Sequence, residues 1–172
     1  AIENDVILSM FSYEQACELS ELAHSMGKPG RCHIKIDTGM NRIGLPAKHE
    51  KDIIPTADEI ERIKKLPDII CDGIFMHFAT ADEADKNKAR KQYDNFCMLL
   101  DELARRNITF TYRHCSNSAA IIDLPECTFE WVRQGITLYG LKPSYEMVHD
   151  VKLYPAMELK SHVVHIKTID KG

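Results

Sequence analysis

His33-Ile34-Lys35-Ile36-Asp37-Thr38-Gly39-Met40-Asn41-Arg42-Ile43-Gly44 is the stretch whose reading decides the fold. Its first five residues alternate with a period of two, the mark of a strand with Ile34 and Ile36 on one side and His33, Lys35 and Asp37 on the other. Thr38-Gly39-Met40-Asn41 breaks the alternation as a turn in which Gly39 is free to take a positive φ, and Arg42 follows just past the strand's carboxyl end. Strands of parallel α/β sheets are normally buried on both faces and read as apolar runs. A face carrying His, Lys and Asp is therefore either the solvated side of an edge strand or, in the sharper reading, part of a polar site at the mouth of a barrel.

On either side of this stretch the chain alternates strand and helix. Val6–Phe11 reads as a buried strand, and Ser12-Tyr13-Glu14-Gln15 matches a capping box. Ala16, Leu19, Leu22, Ala23 and Met26 then form a helical stripe that Gly27 stops. Thr56-Ala57-Asp58-Glu59 is a second capping-box pattern, with Ile60, Ile63 and Leu66 as its stripe and Pro67 as its end. Ile69–Phe78 is the third strand, and Tyr93, Phe96, Leu99, Leu100 and Leu103 share one face of a following helix. Thr109–Cys115 reads as the fourth strand, Ser116–Ile122 as a short helix rich in N-cap residues, and Trp131–Ile136 as the fifth strand. From Pro155 onward Met157, Leu159, His162, Val164, Ile166 and Ile169 suggest a long, curved strand of antiparallel type.

Regular βα repeats imply a parallel sheet with right-handed crossovers. No G-x-G-x-x-G and no G-x-x-x-x-G-K-[ST] is present, so neither a dinucleotide site nor a P-loop has a motif behind it. Polar residues repeated at strand carboxyl ends favour a (β/α)8 barrel over a doubly wound sheet, and about five βα units make only part of one.

Composition narrows the function classes. Over 172 residues, 44% hydrophobic and 28% charged residues are ordinary globular values. A net charge of −4 without a basic stripe argues against nucleic acid as a partner. The apolar runs are too short for a membrane span, and Ala1-Ile2-Glu3-Asn4-Asp5 has no targeting pattern, so the chain reads as beginning mid-protein. Six cysteines are scattered singly with no C-x-x-C pair, which argues against a zinc cage and favours a reduced, cytoplasmic setting.

Three residues stand where a barrel would gather its chemistry: His77 and His114 at the ends of the third and fourth strands, and Arg133 in the fifth. Any one of these histidines alone is more often a satisfied core residue; their joint placement is what points to a site. Ser116-Asn117-Ser118 opens a helix, where free N–H groups suit a phosphate or where simple N-capping suffices. Gly135 shares Arg133's face and would let a ligand approach the backbone closely.

With these residues assembled, the chain resembles the alanine racemases, pyridoxal-phosphate enzymes built of a (β/α)8 barrel followed by a β-domain. The matching runs are His33–Gly44 (HIKIDTGMNRIG), Met76–Glu83 (MHFATADE), His114–Ala120 (HCSNSAA) and Val132–Ser144 (VRQGITLYGLKPS), in the family's order. The resemblance implies that residues 1–154 are a partial barrel lacking its first strands and that 155–172 begin the C-terminal β-domain. It implies pyridoxal 5'-phosphate as cofactor, a small amino acid as substrate, and two-base proton transfer interconverting L- and D-alanine for peptidoglycan. Arg42 resembles the arginine near the cofactor's phenolic oxygen and the substrate. Lys35 resembles the lysine, carbamylated in many members, that steadies it. Met40 matches the residue whose backbone helps hold the substrate carboxylate. His77 looks like the histidine beside the cofactor ring, and His114 like the one bonded to the pyridine-facing arginine, here Arg133. Asn117, Ser118, Gly135 and Ile136 fall in the phosphate-binding positions.

An arginine facing the ring nitrogen has a physical consequence. A guanidinium is always charged and only donates, so the nitrogen stays unprotonated and the ring is a weaker electron sink, which suits proton removal and return. Two family features have no counterpart here: a Schiff-base lysine in a run like K-A-N-A-Y-G-H-G, and a tyrosine base from the partner's β-domain. The chain is therefore expected to be a middle fragment of a homodimeric enzyme, inactive alone and self-associating through open strand edges. The parent's substrate could equally be serine or several amino acids. Two other readings are a non-catalytic barrel that binds pyridoxal phosphate, and a metal-dependent barrel hydrolase with His33, His77 and His114 as ligands around a carbamylated Lys35. The second lacks any H-x-H pair.

Overall fold

The computed structural model describes residues 1–171. Its strands are β1 (Leu8–Met10), β2 (Gly30–Asp37), β3 (Leu45–Pro46), β4 (Ile69–Phe75) and β5 (Tyr112–His114). Its helices are α1 (Tyr13–Met26), α2 (Glu50–Lys64), α3 (Asn87–Arg105) and α4 (Ser118–Asp123). The sheet runs β1-β2-β4-β5, every pair parallel, with the short β3 alongside the end of β2.

Strand order follows chain order without reversal, and successive helices lie against one another. The Glu59 carboxylate of α2 accepts the Tyr13 N–H at 3.0 Å, the Arg62 guanidinium covers the Tyr13 ring at 3.8 Å, and Arg106 just after α3 pairs with Asp58 of α2 at 2.6 Å. A doubly wound sheet reverses its strand order and covers both faces with helices. Here the crossovers all go one way, as in the wall of a barrel. Ile34, Ile36, Ile60, Ile63, Ile74, Phe96 and Leu99 are fully buried in the core between sheet and helices.

β2 lies between β1 and β4, so its polar face is interior: Lys35 is 3% and Asp37 9% exposed. The edge-strand alternative is thereby excluded. Asp37 closes the turn that follows, its Oδ1 accepting the N–H groups of Gly39, Met40 and Asn41 at 3.0, 2.9 and 3.1 Å. Gly39 takes φ +140° as the turn requires.

Six expectations need correction. The first strand is only Leu8–Met10, with Val6 and Ile7 exposed, and the third ends at Phe75, so His77 lies just beyond it. In α1, Ser12 Oγ accepts the Gln15 N–H at 3.2 Å as expected, but the Gln15 side chain reaches back past the cap to the Phe11 N–H at 3.4 Å, Leu22 and Met26 are exposed, and Ser20 joins the buried stripe. The second helix begins at Glu50, because the Asp52 carboxylate accepts the Lys48 and His49 N–H groups at 3.1 and 3.0 Å; Thr56 is inside the helix, its hydroxyl donating to Pro46 O. The fifth strand is reduced to one parallel bridge between His114 and Trp131, with the Arg133 N–H donating to Ser116 O at 2.9 Å, before Ile136–Tyr139 turns into a 3-10 helix. With a neighbour on one side only, few ladder bonds hold it. Residues 155–171 form no strand; Leu159 and Val164 are 100% and 95% exposed, with no strand beside them to complete a ladder.

Both sheet edges are open and apolar: Val6 and Ile7 are exposed beside β1, and Trp131, Val132 and Ile136 beside β5. An unpaired edge of this kind templates association. The 172-residue chain is expected to show a scattering mass that rises with concentration, whereas a monomer at high micromolar concentration with slow amide exchange in β1 would contradict this.

Candidate active site

A cleft of about 390 Å³ opens beyond the carboxyl ends of β4 and β5, lined among others by Met40, His77, Asn117, Ser118, Arg133, Gly135 and Ile136. The Arg133 guanidinium forms its inner wall. Nη2 donates to Met76 O at 2.9 Å, to Cys115 O at 3.2 Å and to His77 Nδ1 at 3.2 Å, while Nη1 donates to His114 Nδ1 at 2.6 Å. Because arginine only donates, both imidazoles accept at Nδ1 and carry their proton on Nε2. Burial first, then the Arg133 charge, pushes His77 down to about 4 and His114 down to about 3, so both are neutral at physiological pH. His114 sits behind Arg133, outside the cleft, stacked on Phe75 with centroids 4.7 Å apart.

Lys35 of β2 is buried against the Phe75 ring, 5.5 Å from its centroid. Its Nζ donates to Ile36 O at 2.6 Å, and burial, together with Arg133 and Arg42, outweighs the attraction of Asp37 and lowers it to about 8. At neutral pH a fraction of this amine is uncharged. Burial would raise the Asp37 carboxyl, but its three N–H bonds and Lys48, at 3.8 Å, leave it below the ordinary range. Met40, at the tip of that turn, lines the cleft. Arg42 is exposed and does not line this cleft, but it lies close enough for its charge to act on Lys35 and His77.

The other end of the cleft is built from the start of α4 and the loop after Arg133. Asn117 caps α4, its Oδ1 accepting the Ala120 N–H at 3.0 Å. Ser118 Oγ accepts the Gly135 N–H at 2.8 Å and the Thr137 hydroxyl at 3.1 Å, which fastens the loop to the helix. A Cβ on Gly135 would meet only Ser118 Oγ, at 3.6 Å, so its backbone is otherwise open to the cleft. A concave volume of this size, with hydroxyl, amide and backbone N–H groups at one end and a fixed cation at the other, fits a small planar molecule bearing a phosphate. The residues present therefore fit pyridoxal phosphate. Among the described residues no cluster of three His, Cys, Asp or Glu is placed to hold a metal ion.

Two features escaped the sequence reading. Gln92 of α3, buried behind the cleft, braces the segment after β4, accepting the Ala79 N–H at 2.9 Å and donating to His77 O at 3.3 Å. Lys86 and Asp123 form a buried ion pair at 2.7 Å, their side chains 6% and 0% exposed. Lys86 also donates to Ala81 O and Glu83 O, and Asp123 accepts the Val148 and His149 N–H groups, so the pair joins the two loops that contribute Asp82 and Pro143 to the cleft. Both are single polar residues in loops or helix ends, without local periodicity to mark them.

Fold and site together define a singly wound α/β chain with an anion-ready cleft at its strand ends. A family model described as the N-terminal domain of alanine racemase matches residues 1–143. The alanine racemase of Clostridium tetani is 42% identical over 174 residues, covering 100% of this chain and 43% of its own length. The solved alanine racemase of Clostridium difficile 630 in complex with cycloserine aligns with a TM-score of 0.87 at 40% identity, over 97% of this chain and 45% of its own. That of Bacillus anthracis with bound L-Ala-P aligns at 0.77 and 35% identity, over 91% and 39%. This chain belongs to the alanine racemase family, whose members depend on pyridoxal phosphate. It spans less than half the length of the curated relatives it matches.

Asp123 gives a test of the clamp. Burial alone would raise its carboxyl, yet Lys86 and the N–H groups of Val148 and His149 hold it down to about 2. An unfolded Asp titrates near ~3.9, so this stabilisation is complete above about pH 4 and is lost as pH falls toward 2. Lys86→Met strands the buried carboxylate and is expected to cost about 3–5 kcal/mol in urea unfolding at pH 7. A change below about 1 kcal/mol, the range of exposed pairs, would show that the pair does not anchor these loops.

Proposed function

We propose that this chain supplies the cofactor- and substrate-facing wall of an amino-acid racemase acting on alanine, as the C-terminal part of its barrel. The observation that carries the reading is that His77, Asn117, Ser118, Arg133, Gly135 and Ile136, far apart in sequence, line one cleft in a chain of this family. Asn117, Ser118, Gly135 and Ile136 would hold the phosphate through backbone N–H and hydroxyl groups. Arg133 would face the ring nitrogen and, as a permanent donor, keep it unprotonated. Neutral His77 would pack beside the ring without adding charge. The cofactor, when bound, supplies the electron sink that makes an amino acid's α-proton removable.

On this reading Arg42 and the Met40 backbone receive the substrate carboxylate, and Lys35 supports Arg42. An amine lowered to about 8 is partly in the neutral form that adds carbon dioxide. Loss of the ammonium proton and addition of carbon dioxide to the free amine, which releases a second proton, would turn Lys35 from a cation into a carbamate anion able to pair with Arg42. The groups that remove and return the α-proton, a Schiff-base lysine and a tyrosine from a partner subunit in a homodimer, match no residue of this sequence. On this reading the parent protein would supply D-alanine for peptidoglycan in the cytoplasm, and residues 155–172 would begin its β-domain.

Two measurements test this. The 172-residue chain alone is expected to form no D-alanine above the rate of free pyridoxal phosphate; reproducible excess would contradict the assignment of both proton-transfer groups elsewhere. In the intact protein, Ser118→Ala removes a hydrogen-bonding group from the phosphate end and is expected to weaken pyridoxal phosphate about tenfold or more, the worth of one bond to a charged group. Unchanged affinity would place the phosphate elsewhere.

A further inference from the structure

His33 and Asp72 lie behind the cleft, and nothing in the chemistry above uses them. Their placement is nevertheless built in. Along β2 and β4, Cys32 pairs with Cys71 but His33 pairs with Gly73, so Asp72 is the extra residue of a β-bulge. Bulges re-aim the side chains around them. Gly73 then leaves room for the imidazole: a Cβ there would stand 2.3 Å from the His33 ring. Tyr112 stacks on the same ring, centroids 5.5 Å apart and 23° from parallel.

The outcome is a line of side chains leading away from the guanidinium. His114, which accepts from Arg133 at Nδ1, lies 3.2 Å from His33 Nδ1 through its Nε2. His33 Nε2 lies 3.4 Å from Asp72 Oδ1, in contact but not aligned as a hydrogen bond, and these two buried atoms face no other polar partner, so a small turn of the imidazole completes the link. Asp72 Oδ2 accepts from Arg31 at 3.2 Å. One end of the line can only donate and the other can only accept. A single polarity satisfies both ends: Arg133 to His114 to His33 to Asp72, each imidazole neutral with its proton on Nε2. Burial lowers both imidazoles, which keeps the line neutral between its charged ends. With the opposite polarity, His114 would turn an N–H toward the guanidinium 2.6 Å away, donor against donor.

We propose that His33 and Asp72 are positioning residues that hold the Arg133 guanidinium in place by fixing the polarity of the hydrogen-bond line through His114. This rests on the reading of Arg133 as the group facing the cofactor's ring nitrogen. Hydrocarbon side chains would fill the same space without leaving buried polar atoms to be partnered, so a bulge, a glycine and two buried polar groups in one place mark a directed arrangement.

The test uses the intact, cofactor-loaded protein with ¹⁵N-labelled histidine and arginine, and the variants Asp72→Asn and His33→Phe. In the wild type both rings are expected as the Nε2–H form, and a wild-type His33 protonated at Nδ1 would overturn the proposal by itself. Asp72→Asn is expected to release His33 into a mixture of tautomers. Both variants are expected to speed hydrogen exchange of the Arg133 Nη protons at least tenfold. By analogy with other supporting shells, kcat falls about tenfold or more, with KM within about twofold. Wild-type Arg133 exchange and kcat in both variants, even with a lowered Tm, would show a merely structural role and overturn the proposal. The tautomer and exchange readouts need no turnover, so a wild type that racemises nothing would count against the cofactor reading alone.

Discussion

The buried guanidinium of Arg133 is the constraint around which this part of the molecule is arranged. A desolvated cation must have its donors satisfied, and here carbonyls and imidazole nitrogens do this. The two carbonyls are those of Met76 and Cys115, the residues just past the ends of β4 and β5, so the same bonds that satisfy the charge tie the strand ends to the segment beyond them. The Arg133 N–H adds its bond to Ser116 O. Without a regular fifth strand, these bonds and those of Ser118 Oγ to Gly135 and Thr137 fix where the loop carrying Gly135 and Ile136 runs.

The same charge sets the protonation of its neighbours. After burial itself, it is the leading cause that lowers His77 and His114, and it contributes to lowering Lys35. The cleft therefore holds a cation that cannot titrate, surrounded by imidazoles that stay neutral, in a protein whose net charge is −4. Asp37 does not cancel this field across the cleft, because its carboxylate is occupied by the turn it closes and by Lys48. A site so arranged suits ligands with localised negative charge, such as a phosphate or a carboxylate.

What was legible in the sequence was local. The alternation of His33–Asp37, the turn at Gly39, the Ser12 cap and the strand end at His114 each follow from residues within a few positions of one another. What escaped was long-range or unperiodic. The start of α2 depends on Asp52 bonding back to Lys48 and His49, a pattern that the better-looking Thr56-Ala57-Asp58-Glu59 masked. The bulge at Asp72 leaves no trace in a period-two pattern, since one inserted residue only shifts its phase. The bonds from Arg133 to Met76 O and His77 span more than fifty residues, and the Lys86–Asp123 pair joins separate loops. Strands at Trp131–Ile136 and after Pro155 have the composition of strands but lack neighbours to pair with, and composition alone cannot supply them.

The central claim is that the cleft walled by Arg133 receives pyridoxal phosphate, phosphate toward α4 and ring nitrogen toward the guanidinium. A crystal structure of the intact protein grown with the cofactor tests it most directly. The account predicts phosphate density against Asn117, Ser118, Gly135 and Ile136, with the ring nitrogen against Arg133. Phosphate density instead in the separate cavity of about 250 Å³ beside Lys48, Lys88 and Lys91, with the Arg133 cleft empty, would contradict it.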